Sequence, residues 1–316
     1  MSDVLIVIVG ALSLVLALNA RAPRRSLQLI IPSWFAAYLV VELAIHLSVI
    51  GGALIALLAL AGGGLGTTGV VGLVLWALAT AIVIPFGLST MRTRLDVQGR
   101  PDDFEAGNLD AGGPTLPWWL FVVPVLMWWR PGVTTTRGIV FAEYGKKKVK
   151  LDLARPKGFE DGPLLPAVIN VHGGVWMFGS RLEQGQPLMN HLAANGWATF
   201  NIDYRLSPRA TMPDHIVDVK RAIAYVREHA AELHVDPDFI AITGGSAGGH
   251  LATLAALTPD DPSFQPGFED ADTSVDVAVP FYGAYDLVDD AGKAEPALRY
   301  LVEKYVVKAK IEDERE

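Results

Sequence analysis

Hydrophobic and polar positions divide the chain at about residue 90. Before it, apolar residues run on with neither the spacing of an amphipathic helix nor the alternation of a half-buried strand. Residues 4–20 carry no charge over 17 positions, residues 27–61 are broken mainly at Gly51-Gly52, and residues 70–88 are again uncharged. Runs of this length suit lipid, and they predict about three transmembrane helices within a first domain, 1–90. Residues 27–61 read either as one long tilted helix or as a span with a short re-entrant turn. A glycine-rich loop, 62–69, precedes the last span.

The basic cluster Arg21, Arg24 and Arg25 follows the first run instead of preceding it, which favours an anchor over a cleaved secretory signal. With three spans this cluster and Arg92, Arg94 and Arg100 lie on one side, and the positive-inside rule makes that side cytoplasmic. Glu42 and His46, four apart inside apolar sequence, read as a pair that orients neighbouring helices or as an intramembrane functional pair. Residues 91–135 form a Pro/Gly/Trp-rich junction. Within it, residues 117–130 hold about a dozen apolar residues between paired tryptophans, too short to span and suited to the headgroup level or to a buried core segment.

From residue 136 to 316 the period changes to short β-type runs alternating with helical ones, the pattern of a mostly parallel α/β sheet with helices on both faces. Residues 138–144 and 148–154 predict an opening hairpin across Lys146–Lys148, a turn that also suits anionic lipid. Strands are expected at 166–171, 197–203, 239–243 and 277–282. Helices are expected at 213–231, 247–257 and 295–307.

Composition sharpens this division. Mean hydropathy is +0.32 and only 19% of residues are charged, yet residues 1–88 hold just three basic and two acidic side chains. The averages therefore mix a lipid-facing part with an ordinary water-facing one. The net charge of −8 repels phosphate backbones, so nucleic acid is excluded as a partner. With no cysteine, disulfides, thiolate catalysis and Cys-ligated metal are excluded too.

Two motifs carry chemistry. The strand at 239–243 runs into Gly244-Gly245-Ser246-Ala247-Gly248 and then into a helix, the context that a nucleophile elbow requires. Gly244 and Gly248 must lack side chains for strand and helix to approach, and the helix N-terminus behind Ser246 favours developing negative charge. Seventy-odd residues earlier, His172-Gly173-Gly174-Val175-Trp176 leaves the strand at 166–171. Backbone N–H groups of Gly173, Gly174 and Val175 are candidates to face an oxyanion together with that of Ala247. The segment lacks the Lys-Ser/Thr of a phosphate loop and the spacing of a dinucleotide fingerprint.

His172-Gly-Gly, Asp203-Tyr-Arg-Leu-Ser-Pro208 and Gly244-Gly-Ser-Ala-Gly-Gly249, in this order, resemble the hormone-sensitive-lipase-like family of α/β-hydrolases. Pro280-Phe-Tyr-Gly-Ala-Tyr-Asp286 resembles the segment that follows the nucleophile helix there. The resemblance spans about 136–310. It implies an α/β-hydrolase fold and carboxylic-ester hydrolysis through an acyl-enzyme on Ser246, on acyl-ester or lipid substrates, with no metal and no organic cofactor. Val175 departs from the family's third glycine.

A serine hydrolase also needs a histidine base and an acid that orients it, both following the serine in this fold. The last histidine is His250, directly on the nucleophile helix, where it reads as structural. Asp286, Asp289 and Asp290 are acids without such a base. The last two strands of the fold likewise find no sequence after the helix at 295–307, which would leave an apolar sheet edge uncovered. The expectation is a membrane-anchored esterase or lipase whose hydrolase domain is incomplete at its C-terminus, and which is inactive without the missing histidine. The alternative is a non-catalytic membrane scaffold or sensor retaining the hydrolase shell. Neither oligomeric state nor acyl-chain length is predicted.

Overall fold

A computed structural model describes residues 1–24, 26, 28–98, 130–287 and 296–311. They fall into two compact units, 1–113 and 114–316, each considered by itself. The tryptophan-flanked part of the junction, 117–129, lies outside the described residues.

Among the described residues the first unit holds four helices: α1 (Ser2–Arg21), α2 (Ile30–Glu42), α3 (Ala44–Ala61) and α4 (Thr67–Gln98). Among the described residues three stretches are long and apolar enough to cross a membrane: α1, α3 and Thr67–Ser89 of α4. The stretch 27–61 does not break at Gly51-Gly52, where the sequence suggested an interruption. It breaks at Leu43 (φ −104°, ψ 20°), which leaves α2 as a separate helix of 13 residues ending on Glu42. The glycines within α3 leave room for the indole of Trp76, which packs directly against both. A Cβ on either Gly51 or Gly52 would come within 2.8 Å of that ring.

Glycine also lets α1 and α4 touch backbone to backbone, since a Cβ on Gly10 would strike the Gly72 carbonyl. Asn19 and Ser33 pair across α1 and α2: Asn19 Nδ2 donates to Ser33 O at 2.7 Å, and Ser33 Oγ donates to Asn19 Oδ1. Large apolar side chains such as Val15, Leu57 and Leu60 face outward.

The second unit is built on a six-stranded sheet ordered β1-β2-β4-β3-β5-β6. The strands are β1 (Val133–Tyr144), β2 (Lys147–Pro156), β3 (Leu165–Val171), β4 (Ala198–Ile202), β5 (Val235–Gly245) and β6 (Val277–Phe281). β1 and β2 form the expected hairpin, β2 pairs antiparallel with β4, and β4, β3, β5 and β6 run parallel. β3 and β4 are apolar almost throughout and buried on both faces, as central parallel strands must be. β1 is an edge, with exposed threonines and two register shifts. At the other edge, Val277, Val279 and Phe281 of β6 are exposed.

Helices α5 (Gln186–Ala194), α6 (Asp214–Glu228) and α7 (Ala247–Leu257) connect the strands. The helical spacing at 213–231 becomes α6, whose Ile216, Val219, Ala222, Ile223 and Val226 are fully buried against the sheet. The expected helix at 295–307 starts as α8 (Pro296–Leu301) and widens into a π-helical turn over Val302–Val307. α5 has no counterpart among the sequence-based expectations.

Candidate active site

Parallel sheets place their functional crevice beyond the carboxyl ends of the strands. Here two neighbouring strands, β3 and β5, deliver the two motifs to that end, with Val171 in register with Gly244. Ser246 follows β5 and caps α7 with φ 56° and ψ −121°, a conformation that residues with a Cβ rarely adopt. Surrounding structure holds it there. Ser246 N–H donates to Phe281 O at 3.0 Å, fixing the turn to the end of β6, and His250 N–H donates to Ser246 O at 3.0 Å as α7 begins.

The glycines around the serine are required by space. A Cβ on Gly248 would fall on the Val171 carbonyl and within 2.6 Å of the His172 carbonyl; one on Gly244 would lie 2.6 Å from Val171 O. The motif's glycines thus allow α7 to lie against the end of β3 and bring the two loops together. A Cβ on Gly173 would stand 3.3 Å from Ser246 Cβ.

The turn at 172–176 is braced from several sides. Gly173 N–H donates to Gln184 Oε1 at 2.8 Å, so that candidate donor is already engaged. Gly174 has φ 120°, and its carbonyl accepts from Met177 N and Phe178 N. Ala247 opens α7, where the first N–H groups have no acceptor within the helix and carry its positive end. Val175 and Trp176 both take left-handed backbone angles, φ 52° and 57°. At Val175, where the family places glycine, a β-branched residue bears a strain of about 1–2 kcal/mol. Val175→Gly is therefore expected to leave the thermal midpoint unchanged or raise it, despite the loss of a half-buried side chain. A clear fall in midpoint would show that packing outweighs the strain.

His172 is buried and engaged with its own turn and with Tyr204. Its Nδ1 lies 2.7 Å from Gly173 O, its ring stacks on Tyr204 at 4.4 Å, and Tyr204 Oη donates to His172 O at 3.1 Å. Burial lowers its pKa, so it is a neutral brace for the turn. The segment 203–208 supports the same loop from below. Arg205 binds the fully buried Asp218 of α6 through Nε and Nη2 and lies 3.6 Å over the Tyr144 ring. Ser207 Oγ pairs with His215 Nε2 at 3.1 Å. Arg181 bridges Asp152 and Asp203 at 2.8 and 2.6 Å. Sequence reading missed Gln184, His215 and the Arg205–Asp218 pair as supports. The 203–208 motif signals Arg205 and Ser207, whereas nothing in local spacing says that Gln184, His215 and Asp218 meet Gly173, Ser207 and Arg205, 11, 8 and 13 residues away.

His250 points back into the fold, its ring edge-on to Trp176 at 5.3 Å, in accordance with a structural reading. His215 and His250 are both pushed down to about 4, in each case chiefly by burial. An unfolded chain binds these protons near pH 6.5. Between about 4 and 6.5 the native state holds fewer protons, so this stability is complete above 6.5 and is lost as the pH falls toward 4. The thermal midpoint of the detergent-solubilised protein is expected to drop across that window. His250→Gln should flatten part of the drop, and a profile flat from 7 to 4 would contradict burial of neutral histidines. Among the described residues no three His, Asp or Glu side chains converge as a metal site.

Comparison with known proteins agrees with this geometry. "Probable carboxylic ester hydrolase LipM" of Mycobacterium tuberculosis is 52% identical over 170 residues, covering 54% of this chain and 39% of that protein. "Esterase LipQ" of the same organism is 46% identical over 178 residues, covering 56% and 42%, and "Esterase LipC" is 43% identical over 163 residues, covering 51% and 40%. The chain thus spans about two-fifths of the length of these curated relatives. The BD-FAE family model matches residues 151–315, just over half of the chain, from within β2 to beyond β6. On that match, with the elbow at Ser246 and the turn at His172-Gly-Gly in place, the chain belongs to the BD-FAE family, among the hormone-sensitive-lipase-like α/β-hydrolases.

Proposed function

We propose that this protein is a membrane-anchored serine carboxylic-ester hydrolase acting on acyl-ester or lipid substrates. One observation carries the reading: Ser246 is held at φ 56° on the end of β5, with Gly173 of the neighbouring loop packed directly against its side chain. Ser246 Oγ would add to the ester carbonyl while its proton passes to a histidine base. The carbonyl oxygen, now an oxyanion, would accept from the N–H groups of Gly174, Val175 and Ala247. Collapse of the intermediate releases the alcohol, protonated by the same histidine, and leaves an acyl-serine for water to hydrolyse.

In this reading residues 1–90 are the anchor, with α1, α3 and α4 as spans, 91–135 lies at the interface, and 136–316 is the hydrolase part on the cytoplasmic side. The outward-facing apolar side chains of the first unit support lipid as its solvent. Residues 251–316 contain no histidine, so the base is not drawn from the segment that follows the nucleophile helix here. That same fact favours a second reading, a non-catalytic membrane scaffold or sensor.

Fluorophosphonate labelling separates the two. The chain, extended through the codons that follow Glu316, should take the probe on the peptide carrying Ser246. A stop codon directly after Glu316, or an extended chain that stays unlabelled, would overturn the hydrolase in favour of the scaffold.

A further inference from the structure

Three polar side chains stand in one row inside the sheet of the second unit. Asp152 of β2 is in register with Asn201 of β4, and Asn201 with Asn170 of β3. Residues opposite one another on neighbouring strands share a face, and all three of these are buried. Buried polar groups are costly unless bonded, and much of this row's bonding goes to the loop 181–186. Asn170 Nδ2 donates to Asn201 Oδ1 at 2.8 Å and to Gln184 O at 3.2 Å, while Asp152 Oδ1 accepts from Arg181 Nε at 2.8 Å. Gln186 Nε2 donates to Arg181 O at 2.7 Å, which ties the two ends of the loop together. Gly185, at φ 79°, lies so close to Asn170 that an added Cβ would fall 2.3 Å from its Nδ2. The row thus seats the loop on the sheet at Arg181, Gln184 and Gly185.

From that seat the side chain of Gln184 reaches the turn after β3. Its Oε1 accepts from Gly173 N–H at 2.8 Å, and an amide that meets a backbone donor must present its oxygen. The place where a Gly173 Cβ would stand is 2.8 Å from Gln184 Oε1 and 3.3 Å from Ser246 Cβ. Gln184 therefore holds the turn on the side where it borders the serine. Gly174 and Val175 follow at once, at φ 120° and 52°, outside any helix or strand. On their far side the turn is closed by the Gly174 carbonyl, which accepts from Met177 N and Phe178 N. On the near side, where the chain leaves β3, the Gln184 amide takes the N–H of Gly173.

We propose that Gln184 is a positioning residue for ester hydrolysis. Its side-chain carbonyl, set in place by the buried Asp152–Asn201–Asn170 row, fixes Gly173 and through it the N–H groups of Gly174 and Val175 relative to Ser246. Gln184 acts through the turn, without touching the reacting atoms. The role rests on the proposed hydrolase and deepens it, by naming what aligns the oxyanion donors.

Steady-state kinetics of the extended chain on p-nitrophenyl butyrate test it, with Gln184→Met as the variant that keeps the side chain's length and removes the acceptor. Oxyanion donors act on charge that develops in the transition state, so the loss should fall on kcat and leave KM within about twofold. The expected fall in kcat is about tenfold, short of the roughly 10²–10³ that deletion of a whole donor costs. The thermal midpoint should drop by only about 2–4 °C, the worth of one hydrogen bond in a unit of this size. A trifluoromethyl ketone, which adds to the serine and forms an oxyanion, should bind more weakly by the same factor as kcat/KM falls. The matching methyl ketone, which stays an uncharged carbonyl, should bind as before. Asn170→Ser, which frees the Gln184 backbone, should lower kcat in the same direction, and its loss should not add to that of Gln184→Met in the double variant. Additive losses overturn the link to the buried row. An effect confined to KM, or an equal weakening of both ketones, overturns the positioning role in favour of substrate binding or general loosening. An active wild type with an unaffected Gln184→Met overturns it outright, whereas an extended wild type that hydrolyses no ester overturns the hydrolase itself and this role with it.

Discussion

Ser246→Gly is expected to abolish fluorophosphonate labelling and ester hydrolysis in the extended chain while leaving the fold as stable as before, or more so. Loss of the nucleophile in a serine hydrolase costs on the order of 10⁶ in kcat, because the triad acts as a unit. The effect on stability has the opposite sign. At φ 56° and ψ −121° a residue with a Cβ carries about 1–3 kcal/mol of strain. Glycine removes that strain and gives back about 0.5–1 kcal/mol through the freer unfolded chain. Ser246→Ala should be equally inactive but should keep the strain. The pair of variants, compared by thermal midpoint, separates a strained functional serine from an ordinary cap. If Ser246→Gly lowered the midpoint well below that of Ser246→Ala, the hydroxyl would be structural and the elbow reading would fail.

The largest effect on stability is expected at Gly248. Its added methyl would occupy the position of the Val171 carbonyl, a backbone atom at the end of a central strand that cannot rotate away. α7 would have to lift from β3, and with it the hydrogen bond from Ser246 N to Phe281 O and the approach of Gly173. Gly248→Ala should cost about 3 kcal/mol or more, the upper range for overpacking a rigid site. For a unit of this size that corresponds to a fall of about 6–12 °C in thermal midpoint. Gly196→Ala is the control, because Gly196 has φ 91° with nothing within 4 Å of an added Cβ. It should show only the backbone penalty of about 1 kcal/mol. Equal losses at the two positions would mean that backbone strain, not the close packing of α7 on β3, explains the glycine.

The pattern of apolar residues was enough to place β3, β4, α6 and α7, because each buries a contiguous run or a helical stripe that only one kind of element satisfies. It misplaced the break in the second apolar stretch. Glycine inside a helix reads as a weak point by propensity alone, whereas here Gly51 and Gly52 make room for the indole of Trp76, 25 and 24 residues further on. α5 went unanticipated because its short apolar face sits within a polar loop region.

For the site, the sequence by itself determined the chemistry on offer: Gly-x-Ser-x-Gly between a strand and a helix, and His-Gly-Gly after another strand. Local spacing specifies such motifs, since the backbone angles they demand exclude most other residues. Tertiary structure alone decided that β3 and β5 are neighbours, so that the two motifs face each other across Gly173 and Ser246. It also decided that Gly173 N–H is taken by Gln184, and that His172, His215 and His250 are packed into the fold, each with its pKa lowered chiefly by burial. These outcomes depend on contacts between different elements and loops, and spacing along one strand carries no information about which side chain arrives from another.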